Sequence, residues 1–295
     1  LFKMPIWRDA MYERLELVTD ALSVLCESPV WDEKKQCLYY VDINGKRLRQ
    51  VNMPSGEVAD RVLPEQPGCV VLDDAGGLVC GLETGIYRIT GRSLQKINKP
   101  FDMEGYRFND GKVGPDGRLY IGTISRNFDG AFYRMEKDGE MVRLLSGVGN
   151  SNGLDWDLNR RLFYYNDTYK GTTDVFDWDV STMELTGRRS LFEHGSGAPD
   201  GMTLDAKGNL WTALWGKAKV VCLNPLNKQI VQEYSLPAEN VTCCAFGGED
   251  FKTLFITTAS RGSDFRKYPL AGAVWCIKTD VPGLPAHRLK AGELY

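Results

Sequence analysis

Short runs in which apolar residues alternate with small or polar ones recur along the chain, each opened by a cluster of turn-forming residues. Residues 32–40, 74–81, 115–122, 157–164, 205–212 and 250–257 all read as a polar turn, then Leu, then aromatic, β-branched or small residues. Alternation at period two marks a half-buried strand, and the Asp, Asn and Gly ahead of it supply turn conformations. Each copy therefore predicts a hairpin. A second strand-like stretch follows each copy, at 47–53, 85–89, 130–135, 174–179, 219–224 and 272–278, so the unit is a small antiparallel sheet. Anchored on Leu38, Leu78, Leu119, Leu162, Leu210 and Leu254, the units step by 40, 41, 43, 48 and 44 residues, the roughly 40–50 expected of a four-stranded propeller blade. Such a sheet cannot bury both faces alone, and radial packing of several around a channel solves that while sheltering the edges. The expected fold is all-β: a six-bladed β-propeller around a central channel, one domain over residues 11–295. Residues 14–18 alternate polar and apolar and are expected to supply a closing strand to the last blade.

Composition narrows the function classes. A chain with 43% hydrophobic, 11% aromatic and 25% charged residues has the makings of one large core under an ordinary soluble surface. The net charge of −3, with basic residues scattered, gives no footprint for nucleic acid or an anionic membrane. The longest apolar run falls short of the roughly 18 residues that span a bilayer, and the opening shows no signal pattern, so a cytoplasmic protein is expected. Residues 1–10 are set apart as a tail, whose Leu1-Phe2-Lys3 ahead of Met4 is either a vector-derived remnant or native. The eight cysteines form no Cys-x-x-Cys pairs and mostly sit inside apolar runs, which predicts buried free thiols. With only His194 and His287, the chemistry must come from carboxylates, amides and hydroxyls.

In a propeller the segments just upstream of each repeat should be loops converging at one mouth of the channel. Three of the six present a hard oxygen ligand: Glu27 in Glu27-Ser28-Pro29-Val30-Trp31, Asn152 in Ser151-Asn152-Gly153, and Asp200 in Pro199-Asp200-Gly201. Two carboxylates and an amide oxygen suit one divalent cation, Ca²⁺, Mg²⁺, Mn²⁺ or Zn²⁺, rather than a soft metal. Taken singly, Asn-Gly and Asp-Gly are turn residues; their recurrence at matching blade positions favours a shared site. Asp110 and Asp155 are expected to be supporting or turn residues, since the strand neighbour of an inward side chain points away. Trp31, Trp156 and Trp211 are expected to pack between blades.

The four strings Glu27-Ser28-Pro29-Val30-Trp31, Arg107-Phe108-Asn109-Asp110-Gly111-Lys112-Val113, Ser151-Asn152-Gly153-Leu154-Asp155-Trp156 and Pro199-Asp200-Gly201-Met202, with the late Cys243-Cys244-Ala245-Phe246-Gly247-Gly248, resemble the regucalcin/gluconolactonase family over essentially the whole chain. The resemblance implies a six-bladed propeller, one divalent metal in the channel and hydrolysis of aldonolactones. It implies metal ligation by Glu27, Asn152 and Asp200, a general-base role for Asp200, and substrate contacts from Arg107 and Asn109. After Gly122-Thr123 the family often carries an acidic residue that contacts sugar hydroxyls; this chain reads Ile124-Ser125-Arg126-Asn127, leaving Asn127 as the substrate-side candidate. The expected partner is a small sugar lactone, with no nucleic acid or membrane, and a monomer or weak homo-oligomer. Two other readings share the site: a non-enzymatic calcium-binding or regulatory propeller, and an esterase or organophosphate hydrolase like the related squid-type phosphofluoridases. A WD-repeat interaction propeller is disfavoured because Trp156-Asp157 and Trp178-Asp179 sit out of phase.

Overall fold

Alternating runs too short to bury both faces fold here as six four-stranded antiparallel sheets, one per sequence repeat. The structure is a computed structural model that describes residues 14–99, 102 and 105–290; the tail expected at residues 1–10 lies outside the described residues. The innermost strands are Cys26–Asp32, Cys69–Leu72, Arg107–Val113, Ser151–Asp157, Ala198–Leu204 and Asn240–Gly247, which define blades 1 to 6 in chain order. Each innermost strand packs against those of the next and the previous blade, and blade 6 returns to blade 1. The repeat leucines mark the second strand of every blade, as in Leu119–Ile124 and Leu210–Trp215.

Closure works as the alternation at 14–18 predicted. Blade 6 takes its fourth strand from the other end of the chain: Leu15–Thr19 pairs antiparallel with Val274–Lys278, Leu15 opposite Ile277. Pairing the two ends of the ring in one sheet leaves no unpaired edge where the ring would open. Beyond Lys278 the chain crosses the face where the innermost strands end. It bonds successively to blade 5 (Ala206 N–H to Pro282 O, 2.8 Å), blade 6 (Gly283 N–H to Phe251 O, 2.8 Å), blade 2 (Leu289 N–H to Leu72 O, 2.9 Å) and blade 3 (Lys290 N–H to Gly117 O, 3.0 Å). Arg288 adds blade 1 through Asp32 and Glu33, at 2.8 Å each.

The core lies between blades. Trp31 stacks on Phe255 of blade 6 with centroids 5.5 Å apart, Trp156 meets Tyr120 of blade 3 edge-on at 4.9 Å, and Trp211 meets Phe246 of blade 6 at 6.0 Å. Such pairs contribute about 0.5–1.5 kcal/mol each beyond the area they bury. All eight cysteines are buried free thiols, as their apolar surroundings predicted.

Candidate metal and active site

The converging segments are not loops. Glu27, Asn109, Asn152 and Asp200 all lie within the first half of the innermost strands. Sequence alternation hides this because the pairing register slips in five of the six: between Glu27 and Val30, Phe108 and Gly111, Asn152 and Leu154, Pro199 and Met202, and Val241 and Cys243. A β-bulge inserts an extra residue and re-aims side chains, so the period of two is lost where the site forms. The Asn-Gly and Asp-Gly pairs are likewise not turns. A Cβ on Gly153 would lie 2.6 Å from both Asp200 O and Met202 N, and one on Gly201 would lie 2.1 Å from Cys243 Sγ. These glycines let neighbouring innermost strands approach closely enough for their preceding side chains to share one space.

In that space Glu27, Asn109, Asp110, Asn152 and Asp200 are all buried. The Glu27 and Asp200 carboxyl groups are hydrogen-bonded to each other, and Glu27 Oε2 also accepts the N–H of Ser28 at 2.9 Å. Burial, and then the nearby Asp110 carboxylate, push Glu27 up to about 8. Burial, then Glu27 and Asp110, raise Asp200 well above the usual carboxylate range. Asp110 is itself pushed up to about 6, chiefly by burial. Arg107 donates to Asn109 Oδ1 at 2.7 Å. The Asn109 amide donates to Asn150 Oδ1, Ser151 O and Asn152 Oδ1 at 3.0, 2.8 and 3.1 Å. Asn152 in turn donates to Thr168 Oγ1 at 2.6 Å, which fixes its amide so that the oxygen faces the cluster.

Glu27, Asn152, Asp200, Asn109 and Arg107 are thus brought together from blades 1, 3, 4 and 5. Asn127 is not buried with them: it is exposed in the 125–129 loop, its N–H bonded to Ser125 Oγ at 3.2 Å. Asp110, expected to turn away, joins the cluster because the bulge after Phe108 breaks the alternation. Asn166 was not singled out by its sequence; its amide holds Asp200 O at 2.8 Å, and its own oxygen accepts from Thr173 at 2.7 Å. Nothing in its local sequence marks it, because its partner lies in the next blade.

Deeper in the channel, Lys112 crosses from blade 3 to reach Asp155 Oδ2 of blade 4 at 2.8 Å and Met202 O of blade 5 at 3.2 Å. A cavity of about 340 Å³ lies there, lined by Asp110, Lys112, Asp155 and Phe246 and covered by Leu284 to His287. Glu27, Asn152 and Asp200 do not line it, so Asp110 stands between this lower chamber and the polar cluster.

Charge decides what the cluster can hold. Four buried or half-buried carboxyl groups, Glu27, Asp110, Asp155 and Asp200, face two cations of this channel, Arg107 and Lys112; Arg261 and Glu83 act on Arg107 from the rim with opposite signs. Two positive charges are wanting in that set, and burial with mutual repulsion favours the protonated forms of Glu27, Asp110 and Asp200. A divalent cation held by Glu27, Asn152 and Asp200 would supply the same charge, and the hard oxygen set suits one. Among the described residues no three His, Cys, Asp or Glu side chains form a metal-ligand cluster, so a cation here would need the amide oxygen of Asn152 beside the two carboxylates.

The fold and the site define a six-bladed propeller with a carboxylate- and amide-lined polar centre on its axis. Residues 25–260 match the family described as the SMP-30/Gluconolactonase/LRE-like region, and the chain belongs to that family. It is 36% identical to regucalcin of Danio rerio over 287 residues, covering 93% of this chain and 97% of that one. It is 38% identical over 280 residues to Bacillus subtilis (strain 168) YvrE, whose name assigns it provisionally to the sugar lactone lactonases, covering 90% and 95% of the two chains. Among solved structures, a luciferin-regenerating enzyme superposes with a TM-score of 0.87 at 26% identity, over 94% of this chain and 99% of its own.

Proposed function

We propose that this protein hydrolyses sugar lactones, with one divalent cation held by Glu27, Asn152 and Asp200. The observation that carries the reading is the buried Glu27–Asp200 pair beside Asp110, a group of acids whose charge calls for a dication. Family membership and the likeness to YvrE support the lactone as substrate. When bound, the cation supplies Lewis acidity toward the lactone carbonyl. The chain's own residues do the rest. Asp200 accepts a proton from the attacking water, a role worth about 10²–10⁴-fold in rate. Arg107 and Asn109, already held in one hydrogen-bonded unit, orient the ring hydroxyls and align the carbonyl. Burial excludes bulk water and strengthens each of these interactions.

The test is lactonase assay before and after chelation, with Ca²⁺, Mn²⁺, Zn²⁺ or Mg²⁺ restored singly, and in Asp200→Asn. Activity is expected to vanish with chelator, return with at least one cation, and fall by at least about 10²-fold in the variant while the circular dichroism spectrum is kept. Full activity in Asp200→Asn would overturn the assignment. Metal binding with no turnover of any lactone would make the protein a cation-binding propeller, and turnover of aryl or phosphoryl esters alone would make it an esterase of the same architecture.

A further inference from the structure

On the rim above the cluster, two aromatic side chains stand out of the core. Phe128, in the 125–129 loop of blade 3, and Tyr169, in the 168–171 turn of blade 4, are 44% and 43% exposed. They meet edge to face, with ring centroids 5.9 Å apart and 63° between planes. Their placement is built into the surrounding backbone. Phe128 sits in the left-handed region at φ 58°, which bulky side chains avoid unless their surroundings impose it. The loop imposing it is tied by the Ser125–Asp129 side-chain bond and by the Ser125 N–H on Gly149 O at 2.7 Å. Across the blade boundary Gly149 makes the seat: a Cβ there would come 2.6 Å from the Phe128 ring and 3.0 Å from Tyr169 Cβ.

This pair adjoins the cluster on two sides. Thr168, next to Tyr169, holds the Asn152 amide; Asn150, next to Gly149, accepts from Asn109. Tyr169 also acts electrostatically on Arg107, as Glu27 does. The mouth therefore presents hydrogen-bond donors from Arg107 on one flank and two ring surfaces on the other. A hydroxyl turned against the Phe128 ring or the face of the Tyr169 ring, away from its phenol oxygen, loses water without gaining a partner, whereas an alkyl group loses nothing.

We propose that Phe128 and Tyr169 form a shelf that sets substrate choice, favouring aldonolactones whose substituent on the carbon beside the ring oxygen is apolar over those bearing a hydroxymethyl group there. The inference rests on the lactonase reading above. Its test is a matched pair of substrates differing by one hydroxyl, D-galactono-1,5-lactone and its 6-deoxy counterpart, assayed on the metal-loaded protein. The wild type is expected to prefer the 6-deoxy compound in kcat/KM by about tenfold, the difference lying in KM. Phe128→Ala and Tyr169→Ala bring the ratio close to one with kcat for the hydroxylated lactone little changed, and Phe128→Trp restores the preference. A wild-type ratio of one, or a ratio untouched by both alanine variants, overturns the shelf. Absence of turnover of either lactone refutes the lactonase reading instead. Calorimetric binding of the two corresponding lactams then decides the shelf: a preference for the 6-deoxy lactam that Phe128→Ala abolishes sustains it, and equal affinities overturn it.

Discussion

Cation binding to this channel should expel protons, and their number follows from the structure. In the metal-free protein at pH 7, a Glu27 carboxyl pushed up to about 8 is protonated roughly nine times in ten, and an Asp110 carboxyl near 6 roughly one time in ten. Asp200, raised as well and sharing a hydrogen bond with Glu27, titrates with it as a pair. About one to two protons therefore occupy the cluster, the same charge as the dication that would replace them. Each proton displaced makes the apparent affinity rise about tenfold per pH unit, or about 1.4 kcal/mol, between roughly pH 6 and 8. The perturbation is titration of chelator-treated protein with Ca²⁺, Mn²⁺ or Zn²⁺. The assay is calorimetry in PIPES and in Tris, whose different ionisation heats give the proton count directly. Glu27→Gln should lower that count by about one and weaken binding. Identical heats in both buffers, together with an affinity flat from pH 6 to 8, would refute the charge argument on which the site rests.

The same raised acids set the pH dependence of folding. Because Glu27 and Asp200 bind protons more tightly folded than unfolded, the metal-free protein should be most stable below about pH 4.5 with respect to these groups and lose that stability as pH rises through about 8; urea melts with saturating cation should show the slope removed. Lys112→Met leaves Asp155 without its ammonium partner. Since Asp155 keeps bonds from Trp156 N, Thr203 Oγ1 and Leu204 N, the cost should be about 2–3 kcal/mol, below the 3–5 of a fully buried pair. A Lys112→Met/Asp155→Asn cycle with no coupling in denaturant melts would contradict the tie across blades 3, 4 and 5. Arg288→Ala removes the link from the C-terminal crossing to blade 1, where burial raises the Asp32 carboxyl but Arg288, together with the N–H groups of Lys34 and Lys35, holds it low. A loss of about 1–3 kcal/mol and faster proteolysis after Lys278 are expected, and an unchanged melting temperature would show the crossing carries no stability.

The blade count, the strand that closes the ring and the positions of Glu27, Asn152 and Asp200 were all legible in the chain, because each depends on a local pattern that repeats. Turn residues, a leading leucine and a period of two specify a hairpin wherever they occur, and six hairpins of equal size leave a ring as the arrangement that buries their faces. Whether an Asn-Gly is a turn or a strand of close approach was not legible, since that depends on the backbone of the next blade, as Gly153 against Asp200 shows. The entry of Asp110 into the cluster turns on a register slip after Phe108, and a slip is set by the partner strand. The Lys112 tie, the Asn166 brace on Asp200 and the Phe128–Tyr169 shelf join residues of neighbouring blades, 34 positions apart for Asn166 and Asp200, with no periodicity linking them. By itself the sequence determined a six-bladed ring and set Glu27, Asn152 and Asp200 at matching positions of three of its blades. Only the tertiary structure decided which acids share that axis and what surrounds them, because burial and charge at the centre are properties of six strands brought together rather than of any one.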